Sequence, residues 1–209
     1  MGKNPPVKAA FLFLCVLLIS CECERPIAWV TSSAADWKAL QFGGDGSAAW
    51  EDDTLHLDLG VELTGSLYEG DLPQIPYELE LESRRLNGSD FFCGLTFPVR
   101  SKDECLTLIL GGWGGGTVGL SSIDGKDASE NDSTFYQNFE NEQWYAIQLR
   151  VMEDRIEVRI DGEKIIDLPT TGETLGLRPG MIELCAPLGL AAWQTEAEFR
   201  GLRWRSLAD

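Results

Sequence analysis

Strict alternation of apolar and polar residues dominates the chain. Tyrosine and leucine alternate with glutamate in residues 77–82, and the same period of two runs through residues 55–59, 147–151 and 156–160. This period is typical of strands with one buried and one wet face. With no amphipathic helix of normal length, the pattern predicts an all-β fold, an antiparallel two-sheet β-sandwich or jelly roll with less than about a tenth helix. The predicted core includes Leu79, Leu81, Phe92, Leu108, Ile147, Leu149, Ile156, Val158 and Phe199.

The most specific local prediction is a hairpin. An alternating run over residues 156–160 ends at Asp161 and Gly162, and a second apolar run follows over residues 164–168. An Asp-Gly pair between two such runs is typical of a type I′ turn, because both central residues then take positive φ. We therefore expect residues 155–168 to form one hairpin that turns at this pair.

The first two dozen residues predict export. Two lysines precede an apolar run over residues 9–19, which is too short to span a bilayer but matches the core of a secretory signal. The run ends in LISC at residues 18–21, which resembles the lipobox of bacterial lipoproteins, in which the cysteine, here Cys21, is acylated. Ordinary signal cleavage nearby, for example after Cys23, is the alternative. The predicted organisation is a signal peptide at 1–20, a lipidated tether at 21–26 and one β-sandwich domain at 27–209.

The charge of the chain excludes two classes of partner. It has 17 basic and 34 acidic residues, a net charge of −17; loss of Lys3 and Lys8 with the signal would leave 15 basic residues and a charge of −19. Nucleic acid and anionic lipid head groups are poor partners for such a surface. We therefore expect no nucleic acid as partner and contact with a membrane through the lipid anchor alone. The export signal and the lipobox predict a place in the cell envelope, in the periplasm or at the cell surface.

The cysteines leave two alternatives open. If residues 98–100 form a turn, Cys93 and Cys105 lie opposite each other on adjacent strands and can form a disulfide. Two buried thiols are the other possibility. Because the sequence has no Cys-x-x-Cys and no Cys/His cluster, we expect no metal site and no cofactor.

A glycine cluster is the first candidate for ligand binding. In GGWGGG, residues 111–116, five glycines let other groups approach the backbone closely, while Trp113 stands clear of neighbouring side chains. An exposed indole suits stacking on a sugar ring, and the alternative is a β-bulge with Trp113 in the core. The loop that follows carries Asp124, Asp127 and Asn131, whose oxygens could bind sugar hydroxyls or a hard cation such as calcium. An acidic surface loop is the plainer interpretation.

Carboxylates on one predicted strand are the second candidate. Glu78, Glu80 and Glu82 share a face with successive Cα separations of about 6.8 Å, and two carboxyl groups at such a distance can flank a glycosidic bond. A solvated strand face is the alternative. His56 is the only histidine, and its place between two leucines favours an ordinary exposed residue over a Ser-His-Asp triad.

Four stretches carry a resemblance to a known family: a segment with Trp37, Leu40, Phe42 and Trp50, the WYAIQLRV strand from Trp144, the hairpin at Asp161 and the closing FRGLRWRSL from Phe199. Together they resemble the 3-keto-disaccharide hydrolase domain family. The resemblance spans residues 28–207 and implies a concanavalin A-like lectin/glucanase sandwich. It also implies secreted or lipid-anchored glycan handling, with hydrolysis of oxidised glucosides in some members. The acidic strand motif of the family has no match in the neutral LTLILGGWGGG from Leu106.

Three functions follow as alternatives. In the first, a lipid-anchored module binds a carbohydrate that stacks on Trp113 and is held by Asp124, Asp127 and Asn131. In the second, a glycoside hydrolase acts on 3-keto-disaccharides or related glucosides with Glu82 and either Asp124 or Asp127 as the catalytic acids. The third is a structural protein of the cell envelope. Both of the first two functions use one predicted glycan site, which contains Glu82, Trp113, Asp124, Asp127 and Asn131.

Lipidation of Cys21 is directly testable. We expect Cys21→Ala to release the protein from membrane fractions, since stable anchoring needs the acylated cysteine. Metabolic fatty-acid labelling followed by fractionation measures both effects, with Cys23→Ala as the matched control. Labelling that is unchanged by Cys21→Ala would exclude the lipobox interpretation.

Overall fold

The computed structural model describes residues 1–2 and 28–208; the rest of the predicted signal peptide, the tether and Cys21 lie outside the described residues. No described helix is long and apolar enough to cross a membrane. The strands are β1 (Val30–Thr31), β2 (Trp37–Ala39), β3 (Ala48–Glu51), β4 (Thr54–Leu57), β5 (Leu63–Tyr68), β6 (Tyr77–Gly88), β7 (Cys93–Ser101), β8 (Glu104–Gly111), β9 (Thr117–Ser121), β10 (Phe135–Tyr136), β11 (Tyr145–Val151), β12 (Arg155–Ile160), β13 (Glu163–Pro169), β14 (Gly189–Trp193) and β15 (Thr195–Ser206). Short helical turns cover Ala34–Asp36, Gly112–Gly115 and Met181–Cys185.

The strands form two antiparallel sheets. Sheet A has the order β13-β12-β11-β6-β15-β4-β3, with β1 also paired to β15. Sheet B has the order β10-β9-β8-β7-β14-β5-β2. Helical residues make up 7% of the structure, so the predicted all-β two-sheet sandwich is confirmed.

Alternation along the strands builds the core between the sheets. In β6 and β11, Leu79 pairs with Leu149 and Leu81 with Ile147, and all four side chains point inward. Leu108 of β8 points inward from sheet B and has no exposed surface. The nine side chains predicted to be buried are each at most 3% exposed, because burying one phase of a strand removes its apolar surface from water.

The predicted hairpin is also confirmed. Strands β12 and β13 pair directly, with Ile160 opposite Glu163 at the turn. Asp161 and Gly162 have φ of 49° and 82°, the positive values that a type I′ turn requires at both central positions. Asp161 also accepts a hydrogen bond of 2.8 Å from the backbone N–H of Ala146, which ties the turn to β11.

Leu149 tests the strand phase. It has no exposed surface, whereas Leu59 is 50% exposed. We expect Leu149→Ala to lower the free energy of unfolding by about 2–5 kcal/mol, because it leaves a cavity in the core. The matched Leu59→Ala should cost less than about 0.5 kcal/mol. Chemical denaturation measures the free energy of unfolding of both variants. An equal loss in the two would mean that the inward and outward positions of β11 are misassigned.

Candidate functional site

The outer face of sheet B carries short side chains. Since Leu95, Leu108 and Leu120 point into the core, the intervening positions point outward. These positions include Gly94, Thr96, Thr107, Gly119, Ser121 and Ala191. A Cβ on Gly119 would lie 2.4 Å from the carbonyl oxygen of Ala128, so a larger residue there would push the neighbouring loop away. The face therefore admits close contact with whatever lies over it.

A segment after β13 covers part of this face. Its helical turn at Met181–Cys185 buries Cys185 against Leu63 and Ala191, in a small apolar cluster separate from the main core. Met181 and Ile182 pack against the same cluster. The segment leaves a gap between itself and the turn that follows β8.

This gap is a cavity of about 390 Å³. Its apolar wall includes the rings of Phe91, Trp113 and Trp193, together with Ile109. The polar groups at its lining are Asp90, Thr107, Ser121 and Arg178. An apolar cavity with a few convergent polar groups is typical of sites for small ligands.

Trp113 lies at the edge of the cavity and not in the core. It is 45% exposed, so the interpretation as a buried bulge residue is wrong. The turn that presents it has positive φ at Gly111 (82°), Trp113 (48°) and Gly114 (93°). Glycine takes such angles without strain, but a tryptophan rarely does. A strained backbone that presents an exposed ring is typical of functional positions.

Asp127 lies behind the cavity wall. Its Oδ1 accepts a hydrogen bond of 3.3 Å from the hydroxyl of Ser121, and its Oδ2 lies 3.4 Å from Nη1 of Arg178. Both partners line the cavity. The carboxylate therefore orients these two groups and balances the charge of Arg178.

Asp124 is not near Trp113. Trp113 precedes β9 and Asp124 follows it, so the five-residue strand, about 14–17 Å long, separates them. The Oδ1 of Asp124 accepts a hydrogen bond of 2.8 Å from the backbone N–H of Thr174. That bond lowers the pKa of the Asp124 carboxyl, and Asp124 in turn raises the pKa of the neighbouring Glu173 carboxyl through a hydrogen bond and its charge. Asp124 thus fixes the segment that leads to the cavity cover.

Asn131 stabilises its own loop. Its side-chain nitrogen donates to the carbonyls of Leu120, Lys126 and Asp127 at 2.8–3.2 Å. Its side-chain oxygen accepts from the backbone N–H and hydroxyl of Ser133 at 2.9 and 2.5 Å. Both polar atoms are occupied within the loop, so its first role is structural; that Asn131 also binds a ligand stays a prediction.

Glu82 belongs to the other side of the molecule. It lies on β6 of sheet A next to Leu81, which points inward. The side chain of Glu82 therefore points outward, where its Oε2 accepts a hydrogen bond of 2.6 Å from Nε of Arg200. Both sheets and the core therefore separate it from the cavity. The prediction that Glu82 shares a catalytic site with Asp124 and Asp127 is wrong, because outward positions of the two sheets face opposite directions.

The predicted disulfide is not formed. Cys93 lies opposite Leu110, while Cys105 lies opposite Pro98, because the hairpin turns at residues 102–103 and not at 98–100. Five residues, about 17 Å of strand, separate the paired positions, far beyond the roughly 7 Å limit between Cα atoms in a disulfide. Both thiols are free and buried. Burial raises the pKa of the Cys105 thiol to about 11 and also raises the pKa of the Cys93 thiol. Thiols with a raised pKa are unreactive, because little thiolate forms.

Among the residues that line the cavity, sequence reasoning predicted Trp113 alone, and those it missed include Asp90, Phe91, Arg178 and Trp193. Asp90 and Phe91 precede β7, Arg178 lies in the covering segment, and Trp193 ends β14. These segments meet because β14 pairs with β7, although about a hundred residues separate them in the chain. The only signal in the sequence was the large aromatic side chain at positions 91 and 193, which alternation places on the outer face.

No protein-family model matches the chain, and no curated protein matches it either. Several solved structures are similar to it. The carbohydrate binding module CBM66 from Bacillus subtilis aligns with a TM-score of 0.53 and 12% identity over 82% of this chain and 96% of that one. The Crh5 transglycosylase in complex with NAG aligns with a TM-score of 0.60 and 10% identity over 86% of this chain and 84% of that one.

The exoplasmic/lumenal domain of VIP36 in its Ca²⁺/Man-bound form aligns with a TM-score of 0.56 and 12% identity over 83% of this chain and 84% of that one. At these identities the likeness concerns the fold alone. The chain has the jelly-roll-like β-sandwich found in carbohydrate-binding modules and glycosyl hydrolases. Membership of the 3-keto-disaccharide hydrolase domain family stays a prediction.

The structural role of Asn131 gives a prediction. We expect Asn131→Ala to lower the free energy of unfolding by about 1–3 kcal/mol, because it leaves several backbone groups of the loop without their hydrogen bonds. The matched Asn138→Ala changes an exposed asparagine of the same region and should cost less than about 0.5 kcal/mol. Thermal or chemical denaturation measures both. An Asn131→Ala protein as stable as the unaltered one would contradict the assignment.

Proposed function

We propose that this protein is an exported, lipid-anchored glycan-binding protein whose carbohydrate site is the cavity on the outer face of sheet B. The observation that carries the proposal is the indole of Trp113, which is partly exposed at the rim of a cavity walled by Phe91 and Trp193. The C–H face of a pyranose ring packs well against an aromatic ring. Trp113 therefore supplies apolar contact, and the polar groups of the cavity orient the sugar.

The polar groups suit the hydroxyls of a sugar. Asp90 offers carboxylate acceptors, Arg178 offers guanidinium donors, and the hydroxyls of Thr107 and Ser121 can donate or accept. Ser121 and Arg178 are already oriented by Asp127, so they lose little freedom on binding. A volume of about 390 Å³ lies within the range of roughly 300–1,000 Å³ for small-molecule sites.

The structural likenesses support a carbohydrate ligand. They include a carbohydrate binding module, a transglycosylase in complex with NAG and a domain in a Ca²⁺/Man-bound form. The fold alone does not determine a function. The likenesses add weight because the cavity of this chain has independent chemical features of a sugar site.

Binding fits the cavity better than hydrolysis. Most glycoside hydrolases use two carboxyl groups on either side of the scissile bond, about 5–10 Å apart. Asp90 is the one carboxylate among the residues that line the cavity in the described part of the chain. Asp127 is hydrogen-bonded to Ser121 and faces Arg178, and Glu82 lies on sheet A. Hydrolysis of 3-keto-disaccharides is therefore the second proposal, to be tested beside the first.

Export and anchoring complete the proposal. The signal-like segment and the lipobox at Cys21 would hold the domain at a membrane of the cell envelope, where extracellular glycans are accessible. The strong negative charge disfavours an anionic polysaccharide as ligand, since like charges repel across the interface. A neutral glycan is the ligand class that we propose.

Trp113→Ala tests the site. After a glycan array has identified a ligand, we expect this substitution to weaken binding by about 1–3 kcal/mol, roughly a 5- to 150-fold higher Kd, by analogy with other aromatic stacking platforms. The matched Trp144→Ala removes an indole from the outer face of sheet A, where it stacks on Arg200, and should leave Kd unchanged. Isothermal titration calorimetry measures both values.

Two outcomes would contradict the binding proposal. In the first, Trp113→Ala lowers the melting temperature by many degrees without changing Kd, so that the indole is a packing residue. In the second, the protein turns over oxidised disaccharides and Asp90→Asn abolishes the turnover, in which case the cavity is a hydrolase site.

A further inference from the structure

His56 lies among carboxylates on the outer face of sheet A, far from the proposed glycan site. It is the only histidine of the chain. On β4 it alternates with Leu55 and Leu57, which have no exposed surface, so the imidazole points outward. Its side chain is 26% exposed, and the carboxylates of Asp58 and Glu196 lie beside it.

Two of the distances between the ligand atoms are close to the edges of a coordination tetrahedron. Nε2 of His56 lies 3.1 Å from Oδ1 of Asp58 and 3.4 Å from Oε1 of Glu196. One ligand atom from each of the three residues falls within 4.8 Å of the others. With zinc–nitrogen and zinc–oxygen bonds of about 2.0–2.2 Å, a tetrahedron has edges of about 3.3–3.6 Å. A zinc ion therefore fits between the three groups after a small closure of the two carboxylates.

The second nitrogen of the ring is also held. Nδ1 of His56 lies 3.4 Å from Oε1 of Glu198, and the other carboxylate oxygen of Glu198 accepts a hydrogen bond of 2.6 Å from Nε of Arg84. A carboxylate on the far nitrogen is the usual companion of a zinc-bound histidine, because it fixes the tautomer and the ring orientation. This contact leaves Nε2 as the atom available to a metal.

Strand register brings these groups together. His56 of β4 lies opposite Glu198 of β15. Glu196 lies two residues before Glu198, on the same face of the strand. Asp58 is two residues beyond His56, and its other oxygen accepts a hydrogen bond from the hydroxyl of Ser47. His56 and Glu196 therefore lie on paired strands, and Asp58, just beyond β4, donates its backbone N–H to the carbonyl of Ser47. The three groups need little ordering when an ion binds.

We propose that His56, Asp58 and Glu196 form a zinc site, with Glu198 as a positioning residue. An imidazole ligand favours zinc over calcium or magnesium, which prefer oxygen ligands throughout. Three protein ligands leave the fourth tetrahedral position to water. The site links the end of β4 to the start of β15, and it is independent of the proposed glycan function.

The single histidine makes the test specific. The full protein, produced without a histidine tag and freed of metal with a chelator, is titrated with Zn²⁺ by calorimetry. Its imidazole is followed in parallel by ¹H–¹⁵N correlation spectroscopy. We expect one ion per chain and a shift of the Nε2 resonance that reaches completion at one equivalent.

Four variants separate the site from general attraction of cations to an acidic protein. His56→Gln and Asp58→Asn should abolish the one-to-one binding. Glu198→Gln should weaken it about 10- to 100-fold, as expected for a carboxylate that orients a metal-bound histidine. Glu51→Gln, an exposed carboxylate on the neighbouring strand β3, should bind as the unaltered protein does, and melting curves check that each variant is folded.

Four results would overturn the proposal. The first is one-to-one Zn²⁺ binding that survives in folded His56→Gln or Asp58→Asn, and the second is an Nε2 resonance that does not move on saturation. The third is binding of Ca²⁺ or Mg²⁺ at the same site as tightly as Zn²⁺, and the fourth is complete absence of stoichiometric binding. In that case, His56 acts only as a partner of the surrounding carboxylates.

Discussion

Burial of one side-chain phase in each sheet is the constraint on which the rest of the structure depends. Leu79 and Leu149 in sheet A face Leu108 and its neighbours in sheet B, and all of these side chains lack exposed surface. Because side chains alternate with a period of two, fixing the inward phase also fixes every outward side chain. Trp193 and His56 face opposite sides of the molecule for this reason. A one-residue shift in register would destroy the core and both outer surfaces together.

The outer face of sheet A is held by paired charges. Glu78 is only 3% exposed, and its carboxylate accepts hydrogen bonds from Arg150 at 2.9 Å and from Arg205 at 2.5 Å. Burial raises the pKa of this carboxyl, but the bonds from the two arginines outweigh that effect, so the pKa lies below its usual value. Exposed pairs of this kind add little stability. At Glu78, however, loss of one arginine would leave a buried charge partly unpaired, which is much more costly.

Arginines of this face also stack on indoles. Arg200 lies 4.0 Å from the ring centre of Trp144, and Arg203 lies 4.4 Å from that of Trp29. The same guanidinium groups donate hydrogen bonds to Glu82 and Glu80, so cation–π contact and ion pairing hold them together. The ladder of Glu78, Glu80 and Glu82 is therefore not a simply solvated face. It is an ionic layer whose arginines come mainly from β15.

Local pattern determined what could be predicted from the sequence. The core and the turn at Asp161 and Gly162 depend on neighbours in the chain, and both were predicted correctly. The candidate site depends on contacts between distant segments. The stretch from Trp113 to Asp124 looks compact in sequence, but β9 lies between the two residues and keeps them apart.

Small errors of position also had large effects. The turn between β7 and β8 lies only a few residues from its predicted place, yet this moves Cys93 and Cys105 out of register. Arg178 and Trp193 could not be assigned to the cavity without knowing that β14 lies beside β7. The same holds for His56, whose neighbour Glu198 is 142 residues away in the chain. Strand order, which a single sequence specifies weakly, decides which side chains meet.

The two outer faces differ in what they can bind, and the difference follows from side-chain size and charge. On sheet A, a flat sugar ring would have to displace arginines that already stack on Trp29 and Trp144, at the cost of desolvating charged groups. On sheet B, Thr107 and Ser121 lie at the floor of a cavity above the strands, and its wall is aromatic. Burial of apolar ring surface there removes few charges from water. A compact cation has the opposite preference, because it gains most where carboxylates such as Asp58 and Glu196 already converge.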